Sequence, residues 1–266
     1  DVASITIPEM ATALMKIIPA GWDTSRADAY FDRVGRAGEA ARTNASPTVR
    51  SPHFCSGCPH NTSTTVPEGS RALAGIGCHY MANFMPDRKT DMTSQMGGEG
   101  IAWVGQHWAT DEDHVFVNLG DGTYSHSGSL AIRAAVTSGA KMTYKILYND
   151  AVAMTGGQHV ESGQTPAQIA QQVEAEGVRT IVIVTEDPTR YAGVKDLPRR
   201  VKIYDREDLE DVQVMLRGTP GVSVMIYDQM CATEKRRRSK RGLIAPDRVR
   251  VIINQEVCEG CGDCSV

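Results

Sequence analysis

Asp121 stands between two glycines in "VFVNLGDGTYSHSG", where an apolar run stops abruptly. A carboxylate between Gly120 and Gly122 joins a hard anionic oxygen ligand to backbone bare enough to turn tightly and approach a phosphate group. A helix-length and then a strand-length stretch follow, and the second apolar run, "YKILYN", ends at Asn149. A carboxylate, an amide oxygen and a nearby backbone carbonyl suit Mg²⁺, whose octahedron is commonly completed by phosphate oxygens and water. "SHSGS" opens the helix after Asp121, and "AMTGGQ" supplies Thr155, Gly156 and Gly157 as a second permissive loop. The amides at a helix start favour an anion. Gly-Asp-Gly alone is an ordinary turn; with an asparagine one crossover later it reads as a metal–phosphate site.

Cysteine is the second chemical signal, with seven residues, five of them in close-spaced runs. Cys55 and Cys58 form a C-x-x-C that fits a zinc half-site, a redox dithiol or two packed thiols, and His60 and His79 lie near enough in sequence to support zinc. Cys78 closes the run "ALAGIG", and Cys231 follows the last apolar run, so both belong on the same strand ends as Asp121. Four thiolates at one place meet the requirement of a [4Fe–4S] cluster. Cys258, Cys261 and Cys264, in "CEGCGDC", open a bacterial ferredoxin-type motif whose remaining cysteine is expected further on, with a zinc ribbon as the other reading. A second cluster there is expected to need chain beyond residue 266, and the sequence is read as a piece of something longer.

These groups need a scaffold that brings strand ends together. Apolar runs at 72–77, 114–120, 144–149, 180–185 and 223–228 alternate with helix-like stretches near 97–109, 127–138, 165–177 and 206–217. Continuous apolar strands separated by helices predict an α/β, doubly wound, mostly parallel sheet, whose ligands bind beyond the carboxyl ends of the strands. Residues 1–50 carry a helical lead-in, 51–232 the main domain, 233–247 a basic linker, and 248–266 a short strand followed by the last cysteines. "KRRRSKR" (235–241) has no interleaved aromatic and reads as a solvated linker rather than a nucleic-acid patch.

Across 266 residues the hydrophobic fraction is 41%, the charged fraction 23% and the net charge -4, so nothing draws the chain generally to nucleic acid or anionic lipid. No run approaches the ~18 apolar residues of a membrane span, and "DVASITIPEM" lacks the regions of a signal peptide. A cytoplasmic location is expected.

"GDG…YND", with its helix and strand between, resembles the Mg²⁺–diphosphate motif of thiamine diphosphate enzymes. More narrowly, "FCSGCPHNTS", "GIGCHY", "GDGTYSHSG", "NDAVAMTGGQ" and "MIYDQMCAT" resemble the 2-oxoacid:ferredoxin oxidoreductases, and among them the indolepyruvate ferredoxin oxidoreductases in their long fused form, over about residues 51–266. The resemblance implies a thiamine diphosphate-binding fold followed by the start of a ferredoxin-like segment. It implies Mg²⁺ held by Asp121, Asn149 and the Ala151 carbonyl, with Gly77, Gly97, Gly120, Gly122, Asn149, Thr155 and Gly156 around the cofactor. It also implies a proximal [4Fe–4S] cluster on Cys55, Cys58, Cys78 and Cys231 and a second on Cys258, Cys261 and Cys264. The implied reaction is oxidative decarboxylation of an aryl 2-oxoacid to an acyl-CoA, with electrons passed to ferredoxin, in a dimer.

His60 and His159 are candidates for orienting the 2-oxoacid or moving a proton, beside an equally ordinary structural role. "MGGEG" (96–100) opens a helix that could offer amides to the cofactor, and Met154 is expected to pack. The glutamate that activates thiamine comes, in the family, from a separate pyrimidine-binding domain. Neither Glu99 nor Glu161 has its context, so the remainder of the enzyme is expected to supply it. A non-redox thiamine diphosphate decarboxylase or synthase and an electron-transfer or structural metal module are the alternative readings.

Overall fold

A computed structural model of the chain describes residues 12–19, 21–43, 52–158, 160, 163–245 and 252–259. Two compact units are present, 1–51 and 52–266. In the first, α1 spans Ser25–Thr43, and the Asp23 carboxylate accepts the Ser25 N–H at its start, at 3.0 Å.

The second unit is built on seven parallel strands: β1 (Ala72–Ala74), β2 (Thr90–Thr93), β3 (Val115–Gly120), β4 (Met142–Tyr148), β5 (Thr180–Thr185), β6 (Lys202–Asp205) and β7 (Val222–Asp228). Their order is β2-β1-β3-β4-β7-β5-β6, and every neighbouring pair is parallel. Five of them are the apolar runs of the sequence. The other two, "TDMT" and "KIYD", are the edges of the sheet. An edge strand is half covered, so it carries no continuous apolar run by which to find it.

Helices cover both faces, as the doubly wound class requires. On one face Val117 and Leu119 of β3, Ile146 of β4 and Val224 of β7 pack with Trp103 of α2 (Ile101–Gln106), Ile132 of α3 (Ser129–Ser138) and Val173 of α4 (Pro166–Ala175). On the other, Leu147, Val182, Met225 and Tyr227 meet Leu209, Val212 and Leu216 of α5 (Leu209–Arg217). The start of α4 is fixed by a reciprocal cap: the Thr165 hydroxyl accepts the Gln168 N–H and the Gln168 side chain accepts the Thr165 N–H.

Past β7 the chain forms a further helix, α6 (Ala232–Lys240). The basic stretch read as a linker is therefore largely helical. Glu234 lies three and four residues before Arg237 and Arg238 and pairs with both, at 2.8 and 3.2 Å. The strand expected over 248–255 lies partly outside the described residues, and Ile252–Gln255 form none. Among the described residues no helix is long and apolar enough to cross a membrane.

Lys145, at the middle of β4, is fully buried on the α5 side of the sheet. Its ammonium donates to the Thr65 carbonyl at 2.7 Å and Gln213 Oε1 at 2.8 Å, and lies 5.6 Å from the centre of the Phe116 ring. Burial lowers its pKa from 10.5 to about 7. Unfolding therefore takes up a proton between those values, and this group's penalty on the fold disappears as pH rises. Between pH 7 and 9 denaturant stability should gain a slope of about 1.4 kcal/mol per pH unit from this residue. Lys145→Met should flatten it, as denaturation curves at the two pH values will show.

Candidate functional site

The carboxyl ends of β1, β3, β4 and β7 lie side by side, and Cys78, Asp121, Asn149 and Cys231 follow them on one rim. Asp121 is 4% exposed. Its Oδ1 accepts the Gly122 N–H at 2.8 Å, and its Oδ2 accepts the N–H groups of Asn149 and Asp150, both at 3.0 Å. The Asn149 side-chain oxygen accepts the Ala151 N–H at 3.2 Å, and Ala151 is itself buried. Asp121, Gly122, Asn149 and Ala151 thus form one connected turn. Desolvation drives the Asp121 pKa up from 3.8 to about 6, against the opposing pull of those N–H groups.

Asp150 holds this turn in a left-handed conformation, with φ +58°. The helix leaving Asp121 also departs from regularity: Tyr124–Gly128 is a π-helical turn before α3 begins.

Gly120 and Gly77 have a common reason to lack a side chain. A Cβ on Gly77 would lie 2.7 Å from the His79 ring, one on Gly75 3.0 Å and one on Gly120 3.3 Å. The His79 imidazole occupies the space between β1 and β3, and three glycines make room for it. The Gly97 loop joins the same region through Glu99, whose buried carboxylate accepts the N–H of Gly97 at 2.8 Å and of Ile76 at 3.4 Å. Burial raises the Glu99 pKa. Thr123 Oγ1 donates to the Ile76 carbonyl at 3.3 Å, closing the contact between the two loops.

Thr155 and Gly156 lie in a loop closed by pairing of Val152 with Gln158, and Gly156 and Gly157 take φ of +121° and +80°. Met154, expected to pack, is half exposed. His60 is buried, its Nδ1 3.3 Å from Ser63 Oγ and its ring edge-on to Phe54 and His79. His159 and Glu161 lie outside the described residues.

Cys55 is exposed, while Cys58, Cys78 and Cys231 are half buried. Burial, reinforced by repulsion from the other three thiols, pushes Cys58 up to about 12, and burial with repulsion from Cys231 and Cys55 raises Cys78. The C-x-x-C loop touches the start of α6: Gly57 leaves room for a Cβ 3.9 Å from the Ala232 methyl, and Arg236 donates to the Ser56 carbonyl at 3.1 Å. Among the described residues no three His, Cys, Asp or Glu side chains converge on a single metal-ion position. A four-iron cluster takes one thiolate at each iron, so its ligands need not converge on a point. Cys258 is exposed, and Cys261 and Cys264 fall outside the described residues.

Asp150 and the α6 arginines were not foreseen as parts of the site. The signal available was Glu234, placed three and four residues before two arginines, which marks a helix rather than a solvated tether.

Residues 75–217 match the family model for the thiamine pyrophosphate enzyme, C-terminal TPP binding domain. The indolepyruvate oxidoreductase subunit IorA of Thermococcus kodakarensis is 27% identical over 234 residues, covering 81% of this chain and 34% of that protein. Its counterpart in Archaeoglobus fulgidus is 27% identical over 268 residues, covering 88% and 41%. The chain thus spans about a third of the length of the first of these curated relatives and two fifths of the second. A solved structure of 2-oxoglutarate:ferredoxin oxidoreductase from Magnetococcus marinus, with 2-oxoglutarate, coenzyme A and succinyl-CoA bound, shares the fold. Its TM-score is 0.50 at 18% identity, over 69% of this chain and 65% of that one. The family match takes in more than half of the chain and contains Asp121, Asn149 and every strand from β2 to β6. The chain belongs to the thiamine pyrophosphate enzymes, through their C-terminal TPP-binding domain.

Proposed function

We propose that this chain is the diphosphate- and metal-binding domain of a thiamine diphosphate-dependent 2-oxoacid:ferredoxin oxidoreductase acting on an aryl pyruvate such as indolepyruvate. The observation that carries the reading is the meeting of Asp121 with the Asn149–Asp150 turn on the rim that also bears Cys78 and Cys231.

The residues fit Mg²⁺. Among the described residues no cation pairs with Asp121, and its three N–H donors occupy three of roughly four acceptor positions on a carboxylate. A divalent ion supplies the missing countercharge. Asp121 and Asn149, with the Ala151 carbonyl, would hold it, and Gly77, Gly97, Gly120, Gly122, Thr155 and Gly156 would lie around the diphosphate. Thiamine diphosphate supplies the electron sink for loss of carbon dioxide from a 2-oxoacid. The chain's part is to neutralise and orient the diphosphate end. Cys55, Cys58, Cys78 and Cys231 would hold a [4Fe–4S] cluster as the first electron acceptor, and Cys258, Cys261 and Cys264 would contribute to a second.

The overall reaction is 2-oxoacid plus coenzyme A to acyl-CoA, carbon dioxide and a proton, with two electrons delivered to ferredoxin. The curated relatives carry the name indolepyruvate oxidoreductase, and the gathered thiols favour an oxidoreductase over a non-redox decarboxylase. The pyrimidine-binding domain and its activating glutamate come from the remainder of the enzyme, in a dimeric assembly.

Replacing Asp121 with alanine is expected to abolish Mg²⁺-dependent binding of thiamine diphosphate by titration calorimetry; unchanged affinity would remove the site. Below about pH 6 the Asp121 carboxyl holds its proton in the metal-free protein. That protonated form stabilises the metal-free fold fully below the unfolded value of 3.8, and the contribution is lost as pH rises through about 6. Mg²⁺ must displace the proton, so its affinity should climb about tenfold per pH unit up to that point and then level off. An affinity flat from pH 5 to pH 7 would contradict the assignment. In anaerobically prepared protein Cys78→Ser should lose proximal iron and its brown absorbance while diphosphate binding survives. Unchanged iron content would refute the ligand set.

A further inference from the structure

Three consecutive arginines of α6 each reach a different loop of the rim. Arg236 donates to the Ser56 carbonyl at 3.1 Å, Arg237 to the Gly156 carbonyl at 2.9 Å and Arg238 to Asp150. We propose that α6 is a positioning element of the cofactor site, in which Arg238 holds the Asn149–Ala151 turn in its binding shape and Arg237 steadies the Gly156–Gly157 loop. The inference rests on the reading of Asp121 and Asn149 as metal ligands and adds the residues that keep them in register.

The argument begins with Asp150. Its left-handed conformation is strained for an L-residue, less for aspartate than for most, and persists where neighbours hold it. Arg238 grips this one residue twice. Nη1 donates to the Asp150 carboxylate at 2.7 Å and Nη2 to the Asp150 carbonyl at 3.3 Å. With side chain and carbonyl both drawn toward α6, the N–H groups of Asn149 and Asp150 are left facing Asp121, where both are used. From the other end of the segment, the Cys231 N–H donates to the Asn149 carbonyl at 3.1 Å. Every polar backbone group of Asn149 and Asp150 therefore has its partner in Asp121 or in residues 231–238.

The gripping residue is itself fixed. Arg238 is largely buried, and Glu234, also buried, accepts from it at 3.2 Å and from Arg237 at 2.8 Å. The Arg238 side chain is 16% exposed and that of Asp150 44%, so solvent screens the pair from one side while Glu234 fixes it from the other. The three nitrogens of the planar fork bond the carboxylate and the carbonyl of one residue together with a glutamate, whereas an ammonium offers its donors from a single point with other geometry. Gly157 completes the contact, since a Cβ there would collide with the Arg237 guanidinium and lie 3.0 Å from Glu234 Oε2.

The test uses the full-length enzyme. Thiamine diphosphate is titrated at saturating Mg²⁺, and amide hydrogen exchange of Asn149 and Asp150 is followed without cofactor. Arg238→Ala should raise the Kd about tenfold or more and speed exchange at both amides, with a larger effect on the apparent KM for the cofactor than on kcat. Arg238→Lys should recover only part of the affinity. Asp150→Asn removes the charge from the same contact without altering α6, so it should shift both readouts in the same direction and add little when combined with Arg238→Ala. It also carries the test should Arg238→Ala fail to fold. Affinity within about twofold of wild type in both variants, with exchange unchanged, would overturn the inference. Wild-type enzyme that bound no thiamine diphosphate would overturn the functional reading instead, while the exchange measurement would still decide whether Arg238 holds the turn.

Discussion

The Asp121 carboxylate joins the ends of two neighbouring strands. It follows β3 directly, and the N–H groups it accepts beyond Gly122 belong to the first residues after β4. Each of those amides would otherwise be an unpaired donor at a strand end, and the carboxylate would otherwise be a buried anion with no donor at all. The register of β3 against β4, which pairs Gly120 with Leu147, sets the reach of this contact. Everything else at the rim is arranged around it. Asp150 turns left-handed to present its N–H, the 75–77 loop leans on Thr123, and α6 closes over the far side.

A second pattern runs beneath the thiols. The C-x-x-C segment is held by cations through its own carbonyl groups: Arg236 takes Ser56, Arg88 takes Asn61 at 2.6 Å and Lys145 takes Thr65. Two of these cations, Arg88 and Lys145, are buried. The short helix His60–Ser63 leaves unpaired carbonyls at its end, and a buried ammonium or guanidinium satisfies them more strongly than a neutral donor. Positive charge is thus built into the support of the segment that carries Cys55 and Cys58. The depressed pKa of Lys145 records how severely that ammonium is desolvated in its place.

Much of this was legible in the residues. Asp121 and Asn149 declared themselves because each ends an apolar run, and in a parallel sheet the ends of adjacent strands must share a rim. The strands beneath them were readable because burial on both faces removes polar residues from the run. Where burial is one-sided the signal fades, and β2 and β6 went unseen. Asp150 was invisible as a participant because its part is conformational, and an aspartate favours the left-handed region only weakly enough that its type alone does not mark the turn. The arginines of α6 were misread for a different reason. A run of positive charge looks the same whether it faces water or grips carbonyls, and only the tertiary partners Ser56, Gly156 and Asp150, distant in sequence, distinguish the two. His60 and His79 were weighed as chemistry, yet both are buried with pKa values depressed to about 4 and about 3 by desolvation.

The imidazole of His79 fills a volume bounded by three bare α-carbons, those of Gly75, Gly77 and Gly120. Substitution at any of the four positions is consequently not an independent event. A Cβ at Gly120 would need the ring to give by a few tenths of an ångström, whereas one at Gly75 would also meet the Glu99 side chain at 2.6 Å and the Asn118 carbonyl at 2.7 Å. Replacements at Gly77, Gly120 and His79 are therefore coupled through one ring, which lies against the α-carbon next to Asp121.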